Sequence, residues 1–418
     1  MNGMDDRQWR EFLDSAMGEP PGQVTADAAR RRLRRLRQRR VIGASAAAAA
    51  VALAVLGGSA AAGIFGAAAP PPPAAPRLVS PAAPPAVYIS YFPDRRTGIG
   101  MIAPIPVATN RRGKPVPVDC HGICTLAAAP DGKTVYVAAV DSVIPISTAT
   151  GRPGKPIHVP GRAYWIQVDP NGKVAYVTGA LLDKVVPINL ATGTAGGPIN
   201  AGTTGSIAFS PDGTAAYMVN ANADNGTVTP IDTATNTPAK PIPVGPSPGD
   251  IVITPDGKTL YVSTGNGVVP ISTATGTAGT PIRGLHPTDL AITPDGKTLY
   301  VTGQTGRMAR LTAVSTATNR PGRSAPIPAL PSQMVITPDG KSIYLASNDS
   351  IIPVSTATNQ PGKPISVSPR GPLAITPDGK TLYVMIPGKV IPIRTATNQP
   401  GKPIRFRSTD PQGIIIVP

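Results

Sequence analysis

The sequence predicts an all-β fold, a ring of eight four-stranded blades, from three observations. The letters I-T-P-D-G-K-T-L-Y-V stand at Ile253–Val262 and recur at Ile292–Val301 and Ile375–Val384, with the variant I-T-P-D-G-K-S-I-Y-L at Ile336–Leu345. The turn proline of this unit returns at Pro130, Pro170, Pro211, Pro255, Pro294, Pro338, Pro377 and Pro418, at intervals of 40, 41, 44, 39, 44, 39 and 41 residues. Each interval holds four short strand-like segments and no helical periodicity. A period of about 40 residues with four strands is that of a propeller blade.

The unit itself reads as two strands, A and B, joined by a turn. Alternating Ile leads in, Pro-Asp-Gly reverses the chain, and Leu-Tyr-Val leads out. Proline presets φ, Asp bonds the local backbone, and Gly takes the left-handed conformation that ends the reversal. Between Pro255 and Pro294 the strands read Thr259–Ser263 (B), Val268–Ser272 (C), Thr280–Arg283 (D) and Asp289–Thr293, the next A.

These units, T-P-D-G-K-T-L-Y-V and V-V-P-I-S-T-A-T-G within 254–276 and S-T-A-T-N at Ser355–Asn359, resemble the YVTN-family β-propeller repeat. The resemblance covers 87–418. It implies a propeller of the membrane-anchored bacterial type. It implies little about chemistry, because the family includes surface and periplasmic proteins of varied roles.

Taken in order, residues 1–40 form a cytoplasmic segment with Trp9, Phe12, Leu13 and Met17 at helical spacing, followed by an arginine-rich run from Arg30 to Arg40. Residues 41–66 carry no charge. As a helix they span roughly 39 Å at about 1.5 Å per residue, enough to cross a bilayer. The preceding arginines keep the amino terminus inside and place the remainder outside. A cleaved signal peptide is the alternative, although its apolar stretch would be unusually long. Residues 67–86 form an extended Ala/Pro-rich linker. The net charge of +16 raises nucleic acid as a partner, but the arginine run abuts the apolar segment, where such charge sets topology and meets anionic lipid. No nucleic-acid partner is expected.

The propeller, 87–418, begins on a B strand around Tyr88 and ends on an A strand, Gly413–Val417. The first B lacks its own A and the last A lacks its B. Pairing them closes the ring and removes an exposed edge. Seven blades is the alternative, should Tyr88–Tyr91 not contribute one. Cys120 and Cys124 flank a short loop with His121. A metal would require more ligands, so outside the cytoplasm a local disulfide is the expectation, with two free thiols as the alternative.

Strand direction alternates, so A–B and C–D turns share one face and B–C and D–A connections share the other. The first face is uniform and holds 11 of the chain's 13 lysines. It is a solubilising rim or a surface for anionic lipid. The second face varies from blade to blade, as binding loops on a regular scaffold do. Five residues before each turn proline stand Thr125, Trp165, Ser206, Asp250, Asp289, Gln333, Pro372 and Gly413. Trp165, Asp250, Asp289, Gln333, His286, Arg162 and Arg370 are the candidate ligand-binding residues there. The B–C connections Asn220–Gly226 and Gly303–Arg310 differ from the others, and the first departs from a calcium loop in its glycine spacing and charge.

Both glutamates, Glu11 and Glu19, precede the apolar run, so the propeller's carboxylates are all Asp. Asp250 and Asp289 are the only acid/base candidates, and no metal site or cofactor is expected. The leading expectation is a membrane-anchored extracytoplasmic propeller that binds a protein, an envelope polymer or a small ligand through its B–C/D–A face. The alternatives are a lactonase-like hydrolase using channel aspartates, and a sensor relaying outside binding to the cytoplasmic segment.

Overall fold

The computed structural model describes residues 84–418 except 123, 180–183, 202–203, 222–224, 307 and 409. The cytoplasmic segment, the apolar run at 41–66, nearly all of the linker and the centre of the Asn220–Gly226 connection therefore lie outside the described residues. Among the described residues no helix is long and apolar enough to cross a membrane.

Eight antiparallel sheets follow one another around the ring. Blade 1 is composite: Ala86–Phe92, Ile99–Pro106 and Val116–Asp119 take Asp410–Val417 as their innermost strand. Ala86 pairs with Val417 and Phe92 with Asp410, with a bulge between Ser90 and Tyr91. The first and last strands thus close an eight-bladed ring. Blades 2 to 8 each run from an inner A strand to an outer D strand, beginning at Thr125, Trp165, Thr204, Ile251, Pro287, Gln333 and Leu373 respectively.

The repeat unit folds for local reasons. In blade 5, Thr254 N–H donates to the Thr259 carbonyl at 2.9 Å and Gly257 N–H to the Thr254 carbonyl at 2.8 Å. The Thr254 hydroxyl donates to Asp256 Oδ1 at 2.6 Å, which also accepts from Lys258 N–H at 3.1 Å. Gly257 has φ of +72°, a conformation that a side chain disfavours. The C–D turn docks on this hairpin: the Thr273 hydroxyl donates to the Gly257 carbonyl at 2.7 Å. The same bond recurs from Thr148, Thr233, Thr316, Thr356 and Thr395, so both turn types share one face.

Strand B is buried on both sides and reads as continuously apolar rather than alternating. In blade 5, Leu260 and Val262 join the core shared with blade 4, while Tyr261 enters the core shared with blade 6. The buried apolar residues form eight clusters, one per seam between neighbouring blades. The closing seam is one of them, with Val87, Ile89, Ile414 and Ile416 against Tyr383, Met385 and Phe406.

In five of the seams a strand B tyrosine bonds the C–D turn of the following blade. Tyr176, Tyr261, Tyr300 and Tyr344 donate their hydroxyls to Asn236, Asn319, Asn359 and Asn398 at 2.8, 2.7, 2.6 and 2.8 Å. Tyr383 reaches Asn110 across the closure at 2.6 Å. All five asparagines have positive φ, between 51° and 57°, which Asn tolerates better than most residues. After Tyr88, Tyr136 and Tyr217 the corresponding turns carry Gly151, Gly193 and Gly276, and no such bond forms.

Two sequence expectations need correction. The outer strand expected at Thr280–Arg283 is split into a two-residue ladder at Thr277–Ala278 and a single bridge from Ile282 to Val268. Pro281 has no N–H to continue a ladder, and Gly279 N–H donates to the Pro270 carbonyl at 2.7 Å instead. The Gly303–Arg310 connection is mostly ladder rather than loop: Gly303 pairs with Arg310, Gln304 with Ala309 and Thr305 with Met308.

Candidate functional site

The inner strands place the candidate residues at the B–C/D–A end of the channel. Their side chains act first as seam fasteners. Thr125 donates its hydroxyl to the Tyr164 carbonyl of the next blade at 2.7 Å. Gln333 Oε1 accepts from Leu373 N–H at 2.8 Å, and Gln333 is only 1% exposed. Gln333 is therefore packed into the seam rather than open at the mouth. Pro372 and Gly413 are buried as well.

Asp250 and Asp289 do converge. The Leu290 N–H lies 3.0 Å from Asp250 Oδ2 and 3.0 Å from Asp289 Oδ1, so one backbone donor serves both carboxyls. Asp250 Oδ1 also accepts from Ile251 N–H at 2.9 Å. Asp250 is half-buried, whereas Asp289 is 5% exposed and its Oδ2 meets no donor among the described residues. Burial, and next the charge of Asp250 beside it, push the Asp289 carboxyl well above the usual carboxylate range. A proton on Asp289 resolves the arrangement, because a carboxylic acid becomes a donor toward the neighbouring carboxylate. Among the described residues no group of three His, Cys, Asp or Glu side chains gathers here or elsewhere.

Trp165 opens the inner strand of blade 3, half-buried, with Tyr164 edge-on at 6.1 Å between ring centroids. His286, Arg162 and Arg370 are exposed on D–A connections. His286 has φ of +43° and His121 φ of +42°, so both D–A connections are held in a conformation that non-glycine residues rarely adopt. Cys120 and Cys124 are joined, with Cα atoms 5.5 Å apart. His121 Nδ1 lies 2.6 Å from Asp119 Oδ1.

The opposite face divides its charge unevenly. Six A–B lysines, Lys133, Lys173, Lys258, Lys297, Lys341 and Lys380, are matched by six A–B aspartates, five of them within 3.5–3.9 Å of a turn lysine. The C–D side brings Lys114, Lys155, Lys240, Lys363 and Lys402 with six arginines against Asp232 alone, a surplus of ten cations, all exposed. The positive character of this face therefore sits on its outer ring. Val107 N–H donates to the Pro85 carbonyl at 3.0 Å, so the chain enters the ring on this face.

Fold and site define a β-propeller with uniform turns on one face and varied connections on the other. A family described as "Lactonase, 7-bladed beta-propeller" matches residues 159–338. That stretch covers blades 3 to 6 and part of blade 7, within a ring of eight. No curated protein matches the chain. Among solved structures, the chain shares 20% identity with hydrazine synthase of Kuenenia stuttgartiensis, at a TM-score of 0.53, covering 69% of this chain and 97% of the other. Dihydro-heme d1 dehydrogenase NirN in complex with DHE matches at 14% identity and a TM-score of 0.64, covering 82% and 77%. Apo AztD from Citrobacter koseri matches at 14% and 0.60, covering 80% and 98%. At these identities the likeness is one of fold.

Proposed function

We propose that the protein is a membrane-anchored, extracytoplasmic β-propeller that binds a partner or ligand through its B–C/D–A face. The observation that supports this reading is the sorting of the two faces. Turns that differ little between blades lie where the chain enters, and the connections that differ most lie at the far end of the channel. Trp165, Asp250, His286, Arg162 and Arg370 are the residues placed to meet a partner there, with Trp165 the anchor. The test is site-specific photo-crosslinking in native membranes, with a photoreactive amino acid at 165 or, as control, at 363 on the uniform face. Discrete adducts from 165 alone are expected. Equal labelling from both positions, or labelling from 363 alone, overturns the reading.

The same anchoring turns the outer ring of C–D cations toward the membrane, where anionic headgroups contribute roughly 1 kcal/mol per cation held close to the surface. With the full-length protein in vesicles, lysines such as Lys155 and Lys363 are expected to acylate more slowly when anionic lipid is included. Rates independent of lipid charge count against this orientation.

The match of residues 159–338 to a lactonase propeller family raises one alternative, hydrolysis assisted by the Asp250–Asp289 pair. Turnover from a panel of lactones that disappears in both Asp250→Asn and Asp289→Asn supports it. Turnover unaffected by either substitution removes it.

A further inference from the structure

Blade 6 breaks the regularity of the ring. Its B, C and D strands are each eight residues long, Thr298–Thr305, Met308–Ser315 and Arg320–Ile327. In blade 7 the C and D strands, Ile351–Ser355 and Gln360–Pro361, have five and two residues. The long outer edge of blade 6 thus stands beside a short neighbour, and a cleft of about 640 Å³ there is lined by Met308, Arg310, Arg323 and Pro326 of blade 6 and Gln360 of blade 7, among others.

The chemistry of this cleft is one-sided. Arg310 is half-buried and Arg323 exposed, and neither guanidinium makes a hydrogen bond or ion pair among the described residues. Arg323 shares this lack of an acid with the other C–D cations, but Arg310 stands apart from them on the long C strand of blade 6, whereas Arg95 finds Asp410 and the A–B lysines find their turn aspartates. Arg310 lies directly across the ladder from Pro326. Met308, at the mouth, is 53% exposed, an unusual position for a large apolar side chain beside two cations.

We infer that this cleft binds a small organic anion, its carboxylate or phosphate held between Arg310 and Arg323 and its apolar part against Met308 and Pro326. Guanidinium forks match both anions in two-pronged geometry. The volume falls within the range of about 300–1,000 Å³ typical of small-molecule pockets. An added peptide strand fits less well, because Pro321 and Pro326 interrupt the donors along this edge. The site is separate from the channel mouth, and it stands whether or not that mouth binds a partner.

The test is calorimetric titration of the full-length protein at constant ionic strength with phenyl phosphate, phenylacetate, inorganic phosphate and benzylamine. At least one phenyl anion is expected to bind, and benzylamine is not. Comparison of the two phenyl anions with inorganic phosphate assigns the preferred head group. The double variant Arg310→Gln/Arg323→Gln is expected to weaken the preferred anion by about tenfold or more, as loss of charge-assisted bonds does. Met308→Gln is expected to weaken the phenyl anions while leaving inorganic phosphate unchanged. Arg152→Gln, on an exposed C–D turn, is expected to change nothing. Unchanged thermal unfolding of each free variant verifies the fold. Absence of binding by both phenyl anions, or binding that survives the double variant, overturns the inference.

Discussion

Tyr383 donates its hydroxyl to Asn110 at 2.6 Å, joining residues 273 positions apart across the seam that closes the ring. Burial, and next the charge of Asp378, push the Tyr383 hydroxyl up to about 12, so it stays a donor at neutral pH. Tyr383→Phe is expected to cost about 1 kcal/mol, the net worth of one such bond. Asn110→Gly should cost a similar amount and no more, since Gly suits a φ of 51°. The double variant should lose little beyond either single change. Tyr217→Phe, which faces a turn bearing Gly276, serves as the internal control and should cost less. Denaturant unfolding of the four variants measures the coupling.

The Asp250–Asp289 pair predicts a pH dependence. Because the Asp289 carboxyl is raised in the fold, the native state holds a proton that the unfolded chain releases above about pH 3.9. Its contribution to stability is therefore greatest below that pH and declines as pH rises toward the folded value. Asp289→Asn keeps the acceptor for backbone N–H and supplies a donor toward Asp250 without needing a proton. At pH 7 this variant should be more stable than the parent, with the difference vanishing near pH 4. Thermal unfolding across pH 4–8 tests it, and a difference of the opposite sign rules out the shared proton.

Gly100 is predicted to be necessary for the disulfide. A Cβ there would overlap Cys124 Sγ and press on Cys120 Sγ at 3.1 Å. Gly100→Ala should therefore leave two reactive thiols on titration of the folded protein, where the parent shows none. The loop is short, so losing its cross-link should cost only about 2 kcal/mol.

Removal of Gly413–Pro418 takes away most of the innermost strand of blade 1, including Ile414 and Ile416 of the closing core. It also removes Pro418, whose carbonyl packs on Gly132 of the next blade. Loss of the cooperative thermal transition is expected. An unchanged transition would mean that closure contributes nothing to stability.

The repeat phase made the ring legible from the letters alone. Eight tyrosines in eight B strands gave the blade count, and the mismatch between first and last strands gave the closure. The seam bonds were written there too, in the choice of Asn or Gly after the A-T of each C–D turn, but their meaning needed the neighbouring blade. Gln333 reads as available in the sequence because it is polar and stands at a channel end, whereas in the fold its amide reaches into the adjacent strand. The cleft beside blade 6 was hidden for another reason: the 303–310 connection reads as a loop until the ladder of Thr298–Thr305 with Met308–Ser315 is seen. A groove formed by unequal strand lengths has no local signature.

Strand Ala86–Phe92 is flanked on both sides by antiparallel partners, Pro106 and Val417 at one end and Met101 and Asp410 at the other. The polypeptide leading into the ring joins this strand at Ala86. Tension transmitted through that lead would pull the strand along its own axis, loading its two ladders together rather than breaking them one bond at a time. Under the anchoring proposed above, this geometry would hold the domain by shear rather than by peeling. The same strand that completes the circle is the one that would bear the load.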